Sequence, residues 1–202
     1  PEDFQRELEL GDLPPEFTSD LNVSPGKNIP VVINKDTRSV EMLKWGLIPS
    51  WSKDPLIGNK LINARSETIA EKPSFRNSFK YRRCLILADG FYEWKVEGSR
   101  KQPYKFKLID GKPFTFAGIW DHWQDKSGQQ LQTCSIITTV PNGIMAEYHD
   151  RMPVILDSSV RWQWLDPNSD ISKLKDMMCP YPADLMAVPE KINPKSLYIF
   201  PR

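Results

Sequence analysis

Along most of the chain the alternation of apolar and polar positions is short-ranged, as in strands rather than helices. The runs Ile29 to Ile33, Val40 to Leu43, Cys84 to Leu87, Phe91 to Val96, Tyr104 to Ile109, Thr115 to Ile119 and Leu131 to Thr139 are rich in β-branched and aromatic residues. Gly-containing connectors separate the later ones: Glu97-Gly-Ser, Asp110-Gly-Lys and Asp125-Lys-Ser-Gly128. Asn34-Lys-Asp-Thr-Arg38 turns the first run back on the second as a hairpin, and Met152 to Leu156 is a further strand. Helical signals are fewer. Pro73 to Tyr81 predicts a short helix with its proline where a missing N–H costs little, and Ser158 to Leu165 and Ser172 to Met178 each follow an N-cap residue. Residues 1 to 21 are polar and turn-rich, Pro14-Pro15 excludes a continuous helix there, and Pro189 to Arg202 has no clear period. Strands first, helices later and no βαβ alternation predict an α+β fold. Its sheet is mostly antiparallel and barrel-like, with a few peripheral helices, in one domain over residues 1–202.

Within this pattern Ala88-Asp-Gly-Phe-Tyr-Glu-Trp-Lys95 stands out, because it sets a carboxylate between aromatics just after an apolar run. A period of two puts Phe91, Glu93 and Lys95 on one strand face and Tyr92 and Trp94 on the other. Taken alone, Glu93 reads as a surface glutamate. Trp45-Gly-Leu-Ile-Pro-Ser-Trp51 leaves the sheet as an irregular loop with two indoles, which either plug a barrel end or form an apolar shelf for a ligand.

At 202 residues, 40% hydrophobic and 11% aromatic, the chain can bury a substantial core. No apolar run approaches the roughly 20 residues of a membrane-spanning helix, and the acidic start resembles no secretory signal, so a cytoplasmic or nuclear monomer is expected. Cys84, Cys134 and Cys179 show no metal-binding or disulfide spacing; no metal or cofactor is expected, and Cys84 and Cys134 read as small buried hydrophobes. Net charge is only +1, yet Lys72, Arg76, Lys80, Arg82 and Arg83 follow one another with no acid between, interleaved with Phe75, Phe79 and Tyr81. That mixture suits a nucleic-acid strand and equally suits a solvated helix face.

Five motifs in order resemble the SOS-response-associated peptidase (SRAP) family: Asn22-Val-Ser-Pro-Gly26, Trp45 to Trp51, Ile62-Asn-Ala-Arg-Ser-Glu-Thr68, Arg82 to Lys95, and His149-Asp-Arg-Met-Pro-Val-Ile-Leu156. The resemblance implies a protein of the DNA damage response that binds single-stranded DNA at abasic sites and becomes covalently joined to them, with associated lyase and self-processing peptidase chemistry. The family's nucleophile is a cysteine in a Met-Cys-Gly-Arg start, whose amine and thiol together close a thiazolidine ring on the sugar aldehyde. This chain begins Pro1-Glu-Asp-Phe, and the expectation is that such a segment is missing from it. By the same resemblance Glu93 is the catalytic acid, His149 a proton shuttle oriented by Asp150 or Glu147, and Asn63 the amide that orients amine and sugar. Arg65, Arg82, Arg83 and Arg151 are candidates for phosphate contacts, Trp45 and Trp51 for base stacking, and Asn22 and Pro25 for the loop lining the pocket. The alternatives are a non-covalent single-strand binding module, or a thiol peptidase using an internal cysteine.

Overall fold

The structure is a computed structural model that describes residues 2–197, the side chain of Lys195 excepted. Its strands are β1 (Asn28–Val32), β2 (Val40–Trp45), β3 (Asn63–Arg65), β4 (Arg83–Ala88), β5 (Phe91–Glu97), β6 (Arg100–Phe106), β7 (Phe114–Gln124), β8 (Gln130–Thr139), β9 (Met152–Pro153), β10 (Ile155–Leu156) and β11 (Glu190–Lys191). Its helices are α1 (Glu2–Glu7), α2 (Arg76–Tyr81), α3 (Arg161–Leu165) and α4 (Ile171–Asp176). The α+β class holds. The larger sheet runs β10-β7-β4-β1-β2-β8-β3 and is mixed: most of its pairings are antiparallel, as expected, but β2 and β3 both lie parallel to β8. β7 occupies the other edge of β8 there, so β2 and β3 follow one another along a single edge of β8. Residues 46–62, whose first part up to Trp51 reads in the sequence as an irregular loop, are an excursion between them that returns to the same edge.

β7 pairs with β4 along one half and with β8 along the other, so the pairings β7-β4-β1-β2-β8 return to β7. Alternation along these strands sorts their side chains into two cores. Ile29, Val31, Leu43, Cys84, Ile86, Phe116, Cys134 and Ile136 form one, drawn from the strands of the circuit together with Ile155 of β10. Leu85, Leu87, Ile119 and Ile137, one residue out of phase, pack with Phe79 of α2, Trp164 of α3 and Leu174 of α4 in the other. Helices therefore cover one face of the sheet, and the first core lies on the other. The second sheet, β11-β6-β5, stands beside it with β5 at an edge.

Arg83 ties the helical layer to β4. Its guanidinium donates to the carbonyls of Phe79 (2.9 Å) and Lys80 (2.8 Å) in the last turn of α2, and to those of Trp164 (2.6 Å) and Asp166 (2.7 Å) at the end of α3. The last carbonyls of a helix lack partners within it and carry its negative dipole end. One buried arginine thus caps two helices.

Some boundaries differ from expectation. The helix foreseen from Pro73 begins at Arg76, after a turn, and those foreseen from Ser158 and Ser172 are α3 and α4. The strand from Met152 to Leu156 is split at Val154, whose N–H instead bonds Ile137 while its carbonyl accepts from Ala117. The strand expected from Tyr104 begins at Arg100, and α1 and β11 lie in stretches where no element was foreseen.

Candidate active site and nucleic-acid interface

Glu93 lies in the middle of β5, opposite Tyr104 of β6. Phe91 on the same face stacks on Phe106 at 5.2 Å between ring centroids, and Lys95 sets its ammonium 4.7 Å from the ring of Tyr148. Tyr148 packs edge-on against Tyr104 and Phe106. These contacts press the β5–β6 hairpin against the turn that carries His149, giving the face foreseen from the two-residue period. Burial pushes the pKa of Glu93 above its ordinary value, a nearby Asp150 adds to that, and His149 and the N–H of Trp94 partly offset it. The carboxyl and the imidazole therefore feel one another.

His149 is exposed but fixed. Its Nδ1 accepts a hydrogen bond of 3.0 Å from the N–H of Arg151, and Asp150 Oδ1 lies 3.2 Å from the same nitrogen. Of the two orienting carboxylates left open by the sequence, Asp150 is the one at the ring; Glu147 lies 3.9 Å from Lys95 Nζ instead.

Asn63 and Arg65 are exposed on β3, paired with Ile136 and Thr138 of β8, while Trp45 pairs with Cys134. Residues paired across a ladder share a sheet face, so Trp45, Asn63 and Arg65 form a row along β8 with steps of about 7 Å. Pro153 flanks Thr138 from the other side, which brings the segment after His149 to the end of that row. Among the described residues Asn63 hydrogen-bonds neither Glu93 nor His149. The loop holding Asn22 and Pro25 spans from this row to β5: the N–H of Gly26 donates to the Trp45 carbonyl at 2.8 Å, and Tyr92 Oη donates to the Leu21 carbonyl at 2.9 Å. Asn22 itself donates its amide to the carbonyl of Leu197, and Pro25 is exposed.

The two indoles differ. Trp45 is half-buried, donates through Nε1 to the carbonyl of Ile62 at 2.9 Å and packs on the first core. Trp51 is 57% exposed in a turn of the excursion 46–62. Upstream of it Gly46 takes φ of +130°, and the Gly58 carbonyl oxygen lies 2.7 Å from where a Cβ on Gly46 would sit. The excursion can close on itself only with glycine there.

The four arginines separate as clearly. Arg65 is exposed and, among the described residues, its guanidinium has no hydrogen bond or ion pair. Arg151 grips Glu67 with both ends of its fork, at 2.6 and 2.9 Å. Arg82 places Nε 3.2 Å from Asp121, a buried carboxylate that also accepts from the N–H of Ser50. Arg83 must be withdrawn as a phosphate contact: it is 5% exposed and occupied with helix ends. The positive run from Lys72 to Arg83 thus ends in fold rather than surface. Glu67 went unassigned in the sequence although it stands inside the Asn63 motif; an Arg-Glu pair 84 residues apart has no local signal.

Cys84 and Cys134 are wholly buried, and burial pushes both thiols well above the ordinary range, which leaves them unreactive. Cys179 is exposed. Among the described residues no three His, Cys, Asp or Glu side chains converge as a metal site requires.

A family model for the SOS response associated peptidase (SRAP) matches residues 1–194. The chain belongs to the SRAP family. It is 47% identical over 174 residues to the abasic site processing protein YoqW of Bacillus subtilis (strain 168), covering 85% of this chain and 78% of that one. Against the abasic site processing protein HMCES of Xenopus tropicalis the identity is 37% over 196 residues, covering 79% of this chain and 58% of that one. Among solved structures, a Bacteroides thetaiotaomicron protein superposes with a TM-score of 0.81 at 32% identity, over 85% of this chain and 76% of that one. A Bordetella bronchiseptica protein, at 24% identity and a TM-score of 0.83 over 95% of both chains, shares the SRAP fold.

Proposed function

We propose that the protein processes abasic sites in single-stranded DNA and becomes covalently joined to them through an N-terminal cysteine. The observation that carries the reading is the half-buried Glu93, its proton affinity raised by burial and partly offset by His149, together with the row Trp45, Asn63 and Arg65. Two relatives named as abasic site processing proteins support the substrate. What these 202 residues supply is the reception of that cysteine.

An abasic deoxyribose is mostly a closed ring. Glu93, kept nearer to a proton donor by burial, delivers a proton to the ring oxygen as the C1′ hydroxyl loses one, exposing the aldehyde. A free α-amine adds to the aldehyde carbon, and loss of water leaves an iminium, with His149 moving the protons. The thiol of the same residue then adds to that carbon and its proton leaves, closing a five-membered thiazolidine; the net change is one water released. The same iminium acidifies C2′, so elimination of the 3′ phosphate, a lyase reaction, competes with ring closure. Asn63 holds the amine without titrating, Arg65 meets a phosphate, and Trp51 offers a free face to a base. The closed circuit of strand pairings supports a barrel-like reading of the sheet that carries this row.

The test is incubation of the protein carrying its native N-terminus with a single-stranded oligonucleotide holding one abasic site, followed by a denaturing gel. An adduct lost on blocking the α-amine, and slowed in E93Q and H149A, is the expected result. Salt-sensitive binding with no adduct would instead make the protein a non-covalent single-strand binder.

A further inference from the structure

Building on that reading, we infer that Glu67 is a positioning residue for His149, acting through Arg151. The connection is short and each link is a hydrogen bond. Glu67 takes both ends of the Arg151 fork, at 2.6 and 2.9 Å. Arg151 Nη2 also donates to the carbonyl of Thr138 at 2.7 Å, and that carbonyl accepts the N–H of Ser66 at 2.9 Å. Glu67, Arg151 and Thr138 therefore fasten three segments at one point: the end of β3 with Arg65, the end of β8, and the turn after His149.

The consequence falls on the imidazole. With the Arg151 side chain anchored and Met152 already paired to Thr139, the N–H of Arg151 is held 3.0 Å from His149 Nδ1. A backbone N–H can only donate, so the Nδ1 that faces it is an acceptor and the neutral ring carries its proton on Nε2. Nε2 is then the nitrogen that trades protons in the reaction. Nothing in the His149 side chain alone selects that tautomer; Asp150 Oδ1, at 3.2 Å from Nδ1, and the Arg151 carbonyl, at 3.3 Å, would favour the opposite one, so the choice rests on the shorter contact to the Arg151 N–H. The Arg151 side chain is only 16% exposed against 46% for Glu67, so the pair is closed on the arginine side and open on the glutamate side. The Arg151 partner also holds the Glu67 carboxyl below its ordinary value, so the grip is in place at neutral pH. A phosphate contact alone would need none of this, since an arginine meant for DNA is better left free, as Arg65 is among the described residues.

The test compares E67Q and R151K with the wild-type protein carrying its native N-terminus. E67Q keeps the shape and removes the charge; R151K keeps the charge and removes the fork. With abasic single-stranded DNA at saturation, each variant is expected to form adduct roughly 10- to 100-fold more slowly, the scale of a misplaced reacting group. The double variant should be no slower than the worse single one, because the two residues act as one unit. Affinity of E67Q for the same DNA should stay within about threefold of wild type or rise, as the freed arginine adds charge. Nitrogen NMR of the His149 ring should show the Nε2–H tautomer in wild type and a mixture in both variants, with thermal unfolding confirming that each folds. Unchanged rates at saturation, or a loss confined to affinity with the tautomer intact, would overturn the positioning role. If wild type itself gave no adduct, the proposed function would fail while the NMR comparison still judged the tautomer.

Discussion

Replacing Arg83 with methionine tests whether the basic run before β4 belongs to the fold or to the DNA. The guanidinium makes four hydrogen bonds to backbone carbonyls, all between 2.6 and 2.9 Å. Bonds from a charged donor contribute about 1.5–3 kcal/mol each, which gives a gross loss of about 6–12 kcal/mol. Against this stands the desolvation of the guanidinium, several kcal/mol, which lowers its proton affinity and which methionine does not incur. Methionine also refills much of the volume, so the net expectation is a loss of about 3–5 kcal/mol, the range for stripping one member from a buried charged network. For a chain of this length that corresponds to a fall of roughly 6–20 °C in the unfolding midpoint. Urea unfolding followed by circular dichroism measures the first quantity and a thermal scan the second. A variant within about 1 kcal/mol of wild type would refute the capping argument. So would intact stability combined with weakened single-strand binding, which would return Arg83 to the phosphates.

Three other perturbations bear on the site. In E93Q adduct formation should collapse while stability at neutral pH rises: a carboxyl whose proton affinity burial raises contributes stability below the unfolded value of about 4.3, lost as pH climbs through the folded value, and the amide removes that loss. Parallel pH titrations of unfolding in the two proteins that kept the same slope through that window would contradict the assignment. Trp51→Ala should weaken single-strand binding by about 1–3 kcal/mol and leave unfolding untouched, whereas Trp45→Ala should cost roughly 3 kcal/mol of stability; fluorescence anisotropy and denaturant titration separate the two, and equal effects would erase the distinction drawn from their exposure. Arg65→Ala should weaken binding evenly across DNA sequences and reduce the salt dependence by somewhat less than one counterion, so an unchanged slope in a salt titration would remove Arg65 from the phosphate track.

What the sequence discloses and what it hides follow from the range of the interactions. Strand face and period are local properties: Phe91, Glu93 and Lys95 could be put on one face because side chains alternate wherever a strand forms, and Cys84 and Cys134 could be put in the core because their neighbours are apolar. Parallel pairing is not local. Nothing in Trp45 to Trp51 announces that β8, arriving some 85 residues later, will take β2 and β3 one after the other along a single edge, and so the excursion between them reads as an irregular loop. The arginines show the same limit more sharply. Arg65, Arg82, Arg83 and Arg151 are one residue type in four motifs, and only the partners distinguish them: solvent, a buried carboxylate, four helix carbonyls and a glutamate far away in sequence. The positive charge that made the stretch from Lys72 to Arg83 look like a DNA track is therefore partly consumed by the fold before any strand arrives. Arg65, the one of the four whose head is left unpartnered among the described residues, stands two residues from Asn63 on the same face of β3. A phosphate held there is held one step from the amide that the proposed chemistry needs, so backbone grip and reacting sugar share a single short strand.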